Sequence, residues 1–164
     1  AKMFGTEVPG YHRYLNQKAS MLVKLFGLIP VIQASGQEMD RAETVTFFND
    51  ACLMAPAALV DKRIRWEALD SLSAKAIFNN GENKISATLY FNDKGQLINF
   101  VSDDRYDIGD MKQYRFSTPV KEYQTIEGRN AISFGEGVWH YPEGEFVYGE
   151  FYIKEIAYNV NEFY

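Results

Sequence analysis

Ile85-Ser86-Ala87-Thr88-Leu89-Tyr90-Phe91-Asn92-Asp93-Lys94-Gly95-Gln96-Leu97-Ile98-Asn99-Phe100-Val101-Ser102 is the stretch that decides the fold class. Ile85, Ala87, Leu89 and Phe91 alternate with Ser86, Thr88 and Tyr90, which is the period of a strand with one face buried. Asn92-Asp93-Lys94-Gly95 carries the polar and glycine residues of a hairpin turn, and Leu97 to Ser102 is the returning strand. Upstream, Asn80-Gly81 is a second hairpin signal, joining Ala74–Phe78 to the strand that begins at Lys84. Consecutive strands joined in this way make an antiparallel meander.

The same reading extends to both ends. Downstream strands are expected at Tyr114–Ser117, Val120–Ile126, Gly135–Tyr141 and Phe146–Tyr158, with turns at Glu127-Gly128 and Pro142-Glu143-Gly144. Residues 3–34 read as strands broken by turns, with a turn signal at Val8-Pro9-Gly10. Ser20–Phe26 and Leu28–Ala34 flank Gly27, and Pro30 points to an edge or a bulge. Between the two β-regions lies the clearest helix, at about residues 40–54. Asp40 is expected as its N-cap, with Glu43 completing a capping-box variant. Val45, Phe48, Cys52 and Leu53 make one apolar face, and Pro56 should end the helix near Met54, with a short helical turn to Val60. The expected class is α+β: a large curved antiparallel sheet, half-barrel or barrel-like, packed on one principal helix, with residues 1–164 as a single β-rich domain. The chain begins at Ala1 without an initiator Met, and Lys2 onward already reads like the middle of a fold, so a preceding segment is expected to be missing.

Hydrophobic residues make up 46% of the 164, enough for a substantial core, and the 15% aromatic content favours β-structure or an aromatic-lined pocket. The formal charge is -5 and no Lys/Arg run occurs, so the electrostatic footprint of a nucleic-acid binder is missing. No transmembrane segment is expected, because no apolar stretch of about 18 residues exists. Cys52 is the one cysteine and reads as a buried helix thiol. No metal and no cofactor are expected: phosphate-binding glycine loops, nucleophile elbows and zinc motifs are all lacking, and His12 and His140 have no partner at ligand spacing.

Two polar clusters stand out. Ser102-Asp103-Asp104-Arg105-Tyr106 closes a strand that is apolar up to Val101. Strand alternation sets Asp103 and Asp104 on opposite faces and allows Asp103 and Arg105 to share one. The cluster serves either ligand contact or a strand-end salt bridge. Trp139-His140-Tyr141-Pro142-Glu143-Gly144-Glu145-Phe146 is the second; Trp139 and Tyr141 share a face and His140 takes the other. It fits a pocket mouth, or an ordinary hairpin with its acids in water. Trp66 is expected to pack on the helix or sheet, with the flanking Arg63 and Arg65 able to meet Asp103 or Asp104. Near the C-terminus, Phe151 and Ile153 fall on one strand face and Tyr148 and Tyr152 on the other, so neither face is plainly solvent. The candidate ligand-binding set is Trp66, Asp103, Arg105, Trp139, His140, Tyr141 and Glu145, with no catalytic residue assigned.

Gly36-Gln37-Glu38-Met39-Asp40, Pro56-Ala57-Ala58-Leu59, Arg65-Trp66-Glu67, Phe100-Val101-Ser102-Asp103-Asp104-Arg105-Tyr106, Ser117-Thr118-Pro119 and Trp139 through Gly149, in that order, resemble a bacterial family of uncharacterised proteins classed as a domain of unknown function. The likeness runs from about Tyr11 to Tyr152. It implies no activity and contributes no catalytic residues. The strand–helix–strand order is also similar, at fold level, to envelope lipoprotein carriers, whose sheet wraps helices around an apolar cavity; function does not follow from such an analogy. The expected function is non-enzymatic binding of a lipid or other apolar small ligand on the concave sheet face. The alternatives are a hydrolase or isomerase using Asp103, His140 and Glu145 as acid/base groups, and a protein-interaction module.

Overall fold

The computed structural model describes residues 9–161, together with the backbone of two short strands, β1 (Lys2–Met3) and β2 (Thr6–Glu7). Val8, in the expected first turn, lies outside the described residues. Strands β3 (Gly10–Leu15), β4 (Lys18–Leu25) and β5 (Ile29–Ser35) form a three-stranded antiparallel sheet. Phe26 and Gly27 make the β4–β5 turn with φ of 52° and 71°. Pro30 does sit on an edge strand, opposite Lys24 at an irregularity in the register, where its missing N–H costs no interior ladder bond.

Helix α1 (Gln37–Met54) follows, then a short 3-10 helix (Pro56–Val60) that begins at the expected proline. The rest of the chain is one seven-stranded antiparallel meander in sequence order. Its strands are β6 (Ile64–Ala68), β7 (Ser73–Asn80), β8 (Asn83–Phe91), β9 (Leu97–Asp107), β10 (Lys112–Ile126), β11 (Arg129–Tyr141) and β12 (Gly144–Tyr152). The end strands β6 and β12 do not pair with each other, so the sheet is open and not a closed barrel.

Helix α1 lies between the two sheets. On the large-sheet side Phe48 stacks on Phe78 at 5.0 Å and meets Phe100 edge-on at 6.0 Å, with Val45, Ile85 and Leu89 buried around them. On the other side the Tyr14 hydroxyl of β3 lies 2.7 Å from Thr44 Oγ1 and accepts a bond from Asn80 Nδ2 at 2.8 Å. That network joins β3, α1 and β7.

The last strand ends at Tyr152 and not at Tyr158, and two further features differ from the sequence reading. The helix starts three residues before Asp40, with Gly36 at the N-cap and no side-chain cap. Asp40 is buried inside the first turn, where it accepts the backbone N–H of Ala19 at 2.6 Å and Lys18 Nζ at 3.0 Å. A tertiary partner, the β4 backbone, takes the carboxylate that local pattern assigns to a cap. Secondly, β10 is one 15-residue strand and not two. Pro119 sits within it, opposite Asn99, and an irregularity follows between Val120 and Glu122 that absorbs the break in pairing.

A cavity between the helix and the C-terminal strands

Two bulges shape the helix-bearing face of the large sheet. Ser102 lies opposite Phe116, but Arg105 lies opposite Tyr114, so β9 carries one extra residue at Asp103–Asp104. The bulge reverses the alternation, and Asp103 and Arg105 do not share a face. Asp104 turns toward the helix, where it pairs with Arg41 and accepts the N–H of Ser86 at 2.7 Å. Asp103 turns to the outer face and pairs with Arg115 at 2.8 Å. Arg105 turns inward, its guanidinium 4.0 Å from the centroid of Phe116, 4.9 Å from Trp139 and 5.3 Å from Tyr148. Neither Arg63 nor Arg65 meets these acids: Arg63 holds Asp61 and Asn80, and Arg65 holds Glu67.

The second bulge is in β12. Gly137 pairs with Gly149 while Val138 pairs with Val147, leaving Tyr148 as the extra residue. Tyr148 and Phe151 therefore both turn to the helix side, contrary to the simple alternation. Each ring lies over a glycine of β11. A Cβ on Gly137 would stand 2.5 Å from the Tyr148 ring, and one on Gly135 would stand 2.3 Å from the Phe151 ring. Only glycine permits this close approach.

Between these rings and α1 is a cavity of about 310 Å³. Its helix wall is Thr46, Asn49, Asp50, Leu53 and Met54; its sheet wall includes Arg105, Phe116, Thr118, Tyr148, Phe151 and Ile153. The polar and apolar parts are segregated. Arg41–Asp104 and Phe48–Phe100 contacts show that α1 runs antiparallel to β9, so Thr46 lies toward Arg105 and Leu53 lies away from it. Arg105, Phe116 and Tyr148 form one end. Thr118 and Asn49 come next, and Leu53, Met54, Phe151 and Ile153 form the other. A second cavity of about 340 Å³, reaching Leu89, Leu97 and Ile132, shares Leu53, Met54 and Ile153 with the first. The chain after β12 crosses this region: Gln124 Nε2 donates to the Ile153 carbonyl at 3.0 Å and the Tyr158 hydroxyl donates to the Met54 carbonyl at 2.6 Å.

Among the described residues, two buried polar atoms on the cavity wall have no hydrogen-bond partner, Asn49 Oδ1 and Thr118 Oγ1. Asn49 is 7% exposed and Thr118 1%. Orphaned groups at this depth cost about 1–3 kcal/mol each unless something meets them. Burial pushes the carboxyl of Asp50 above the usual range, with the nearby Arg105 charge opposing the shift. Glu43, two helical turns earlier and 3.1 Å from His12, is pushed up by burial as well, with His12 and Arg105 opposing. Arg105 donates to the Tyr148 hydroxyl at 3.3 Å, its one hydrogen bond among the described residues.

Of the residues singled out from sequence, Arg105 lines this cavity. Trp139 supports it from behind, 5.3 Å from Phe116 and 7% exposed. Tyr141 continues the same face away from the cavity, where its hydroxyl donates to Asp107 at 2.6 Å; burial and that carboxylate raise its pKa. His140 lies on the outer face, opposite Arg115, as alternation from Trp139 requires. Its Nε2 is 2.8 Å from Ser117 Oγ and its Nδ1 is 3.2 Å from Glu145. The order serine–imidazole–carboxylate is that of a hydrolytic relay, but Ser117 is only 4% exposed and neither it nor His140 lines the two cavities. Trp66 is on edge strand β6, at the far side of the sheet, donating to the Leu59 carbonyl at 3.3 Å.

The family model for a family of unknown function, DUF6544, matches residues 1–151. The chain belongs to DUF6544. No curated protein and no solved structure matches it. In this DUF6544 member no described helix is long and apolar enough to cross a membrane. Among the described residues no group of three His, Cys, Asp or Glu side chains is placed to hold a metal ion. The wall residues Asn49, Asp50, Phe116, Thr118 and Tyr148 carry no motif. The traceable signal is Gly135-x-Gly137 inside a strand, since interior strand glycines mark a close approach.

Proposed function

We propose that this DUF6544 protein binds a small ligand with an apolar body in the cavity between α1 and strands β9–β12. The single observation that carries the reading is the pair of buried, unpartnered polar atoms, Asn49 Oδ1 and Thr118 Oγ1, on the wall of an otherwise apolar, aromatic-sided cavity. Small-molecule sites are built in this way, from apolar walls with a few convergent polar groups. The glycines under Tyr148 and Phe151 supply the room. The enzyme alternative draws less support, because Asp103 and Glu145 are solvated and, with His140, are engaged in cross-strand pairs on the opposite face.

Native mass spectrometry of the gently purified protein, repeated after denaturing extraction, tests the proposal. A discrete added mass that extracts as an organic molecule is the expected result. A complementary test uses Trp66→Phe, which leaves Trp139, packed behind Arg105, as the one indole of the chain. Titration with a series of aliphatic probes should then change its emission saturably. A bare mass together with no saturable response to any probe would refute the binding reading.

A further inference from the structure

We infer that the ligand is a single-chain amphiphile with a monoanionic head, bound with the head at Arg105 and the tail toward Leu53 and Ile153. The inference rests on the binding reading above and adds the chemical class and the orientation.

The head is argued from Arg105. A guanidinium carries five N–H donors in a planar fork that suits an oxyanion. Among the described residues one donor is used, on Tyr148, and no carboxylate pairs with it. Phe116, Trp139 and Tyr148 surround it, fixing its plane while leaving its edge for a ligand. The Thr118 hydroxyl, two residues along β10 from Phe116, is a further free donor. Asp50 also lines the cavity, and burial favours its neutral form beside a head with a single negative charge, which selects against a head with two. The tail is argued from the wall order: beyond Asn49 and Thr118 the lining becomes Leu53, Met54, Phe151 and Ile153, and three of these residues open into the second apolar cavity. A chain leaving the Arg105 end has one apolar direction to follow.

The test compares decanoate, decanol and decylammonium, which share a tail and differ in head. Binding is measured by calorimetry on the full chain, wild type, Arg105→Gln and Thr118→Val, with circular dichroism confirming that each variant is folded. Decanoate should bind about tenfold or more tightly than decanol, since a charge-assisted bond is worth that ratio. Arg105→Gln should bring decanoate down to the level of decanol and leave decanol unchanged. Thr118→Val, nearly isosteric, should weaken decanoate without altering the fold. Decanoate should also gain over butyrate as the tail lengthens. Equal binding of decanoate and decanol overturns the head assignment but leaves the cavity as a ligand site. Tightest binding of decylammonium overturns it in favour of Asp50. Failure of every probe overturns the binding reading itself.

Discussion

Replacing Asp40 with Ala tests whether this carboxylate caps a helix or ties the three-stranded sheet to that helix. In the structure it accepts the Ala19 N–H at 2.6 Å and Lys18 Nζ at 3.0 Å, and both Asp40 and Ala19 are nearly inaccessible, at 3% and 5% exposure. The alanine variant leaves the Ala19 N–H buried and unpaired, which costs about 1–3 kcal/mol. The bond to Lys18 adds little, because that side chain is 70% exposed and exposed pairs contribute about 0–1 kcal/mol. A loss of about 2–3 kcal/mol is therefore expected in urea unfolding. Lys18→Ala should lose well under about 1 kcal/mol. Asp40→Asn, which keeps an acceptor for Ala19, should fall between them. Amide exchange adds a local readout: Ala19 should lose protection in Asp40→Ala and keep it in Lys18→Ala. An Asp40→Ala loss no larger than that of Lys18→Ala, with Ala19 still protected, would refute the argument. It would mean that the β4 backbone does not depend on the helix.

Other outcomes follow from the same geometry. Gly137→Ala should destabilise by about 1–3 kcal/mol and abolish probe binding, because its Cβ would meet the Tyr148 ring at 2.5 Å and push it into the cavity; Gly128→Ala, where a Cβ meets nothing but φ is +77°, serves as a backbone-strain control that should leave binding intact. Asp50→Asn should raise stability at neutral pH. The folded carboxyl is raised, so the native state holds its proton more tightly than the unfolded chain. Its contribution is complete below the unfolded value near 3.9 and is lost as pH rises through the folded value, so the advantage of the amide should vanish in urea titrations at acid pH. Cys52, pushed up to about 12 by burial, should resist aromatic disulfide reagents at pH ~8 in the folded protein and react fully once urea unfolds it.

The fold was legible where local period and tertiary demand agree. Ile85, Ala87 and Leu89 alternate and are all buried, Asn80-Gly81 turns the chain between β7 and β8, and Pro56 ends α1. It was less legible where a distant partner overrides a local pattern. Asp40-x-x-Glu43 has the form of a capping box, yet both acids are taken by β3 and β4, Glu43 by His12 and Asp40 by Ala19 and Lys18. Nothing within a few residues of Asp40 signals that competition. Ser117-Thr118-Pro119 has the form of a strand break, and the sheet absorbs it through the irregular pairing that follows.

The candidate site lay beyond alternation for a related reason: it depends on where alternation fails. A strand of strict period two would put Asp103 with Arg105 and would separate Tyr148 from Phe151. One additional residue in β9 and one in β12 invert both outcomes. Arg105 then joins Phe116 and Trp139, and Tyr148 joins Phe151 over the glycines of β11. The β12 bulge turns Tyr148 inward, and the β9 bulge contributes twice, by turning Arg105 inward and by leaving the competing Asp103 outward. Asp103, placed on the inner face, would neutralise Arg105; on the outer face it neutralises Arg115. Removing the β9 bulge by deleting Asp103 should therefore do more than shorten a strand. It leaves Ser102 opposite Phe116 and Arg105 opposite Tyr114, turns Asp104 outward opposite Arg115, and should break the Asp104 bonds to Arg41 and the Ser86 N–H while binding of decanoate persists. Asp103→Ser, which keeps the bulge and removes only the outer ion pair, should bind as the wild type does. If the deletion variant folds and no longer prefers decanoate to decanol, register alone does not hold Arg105 inward, and the Asp104 pairing with Arg41 and Ser86 is needed as well.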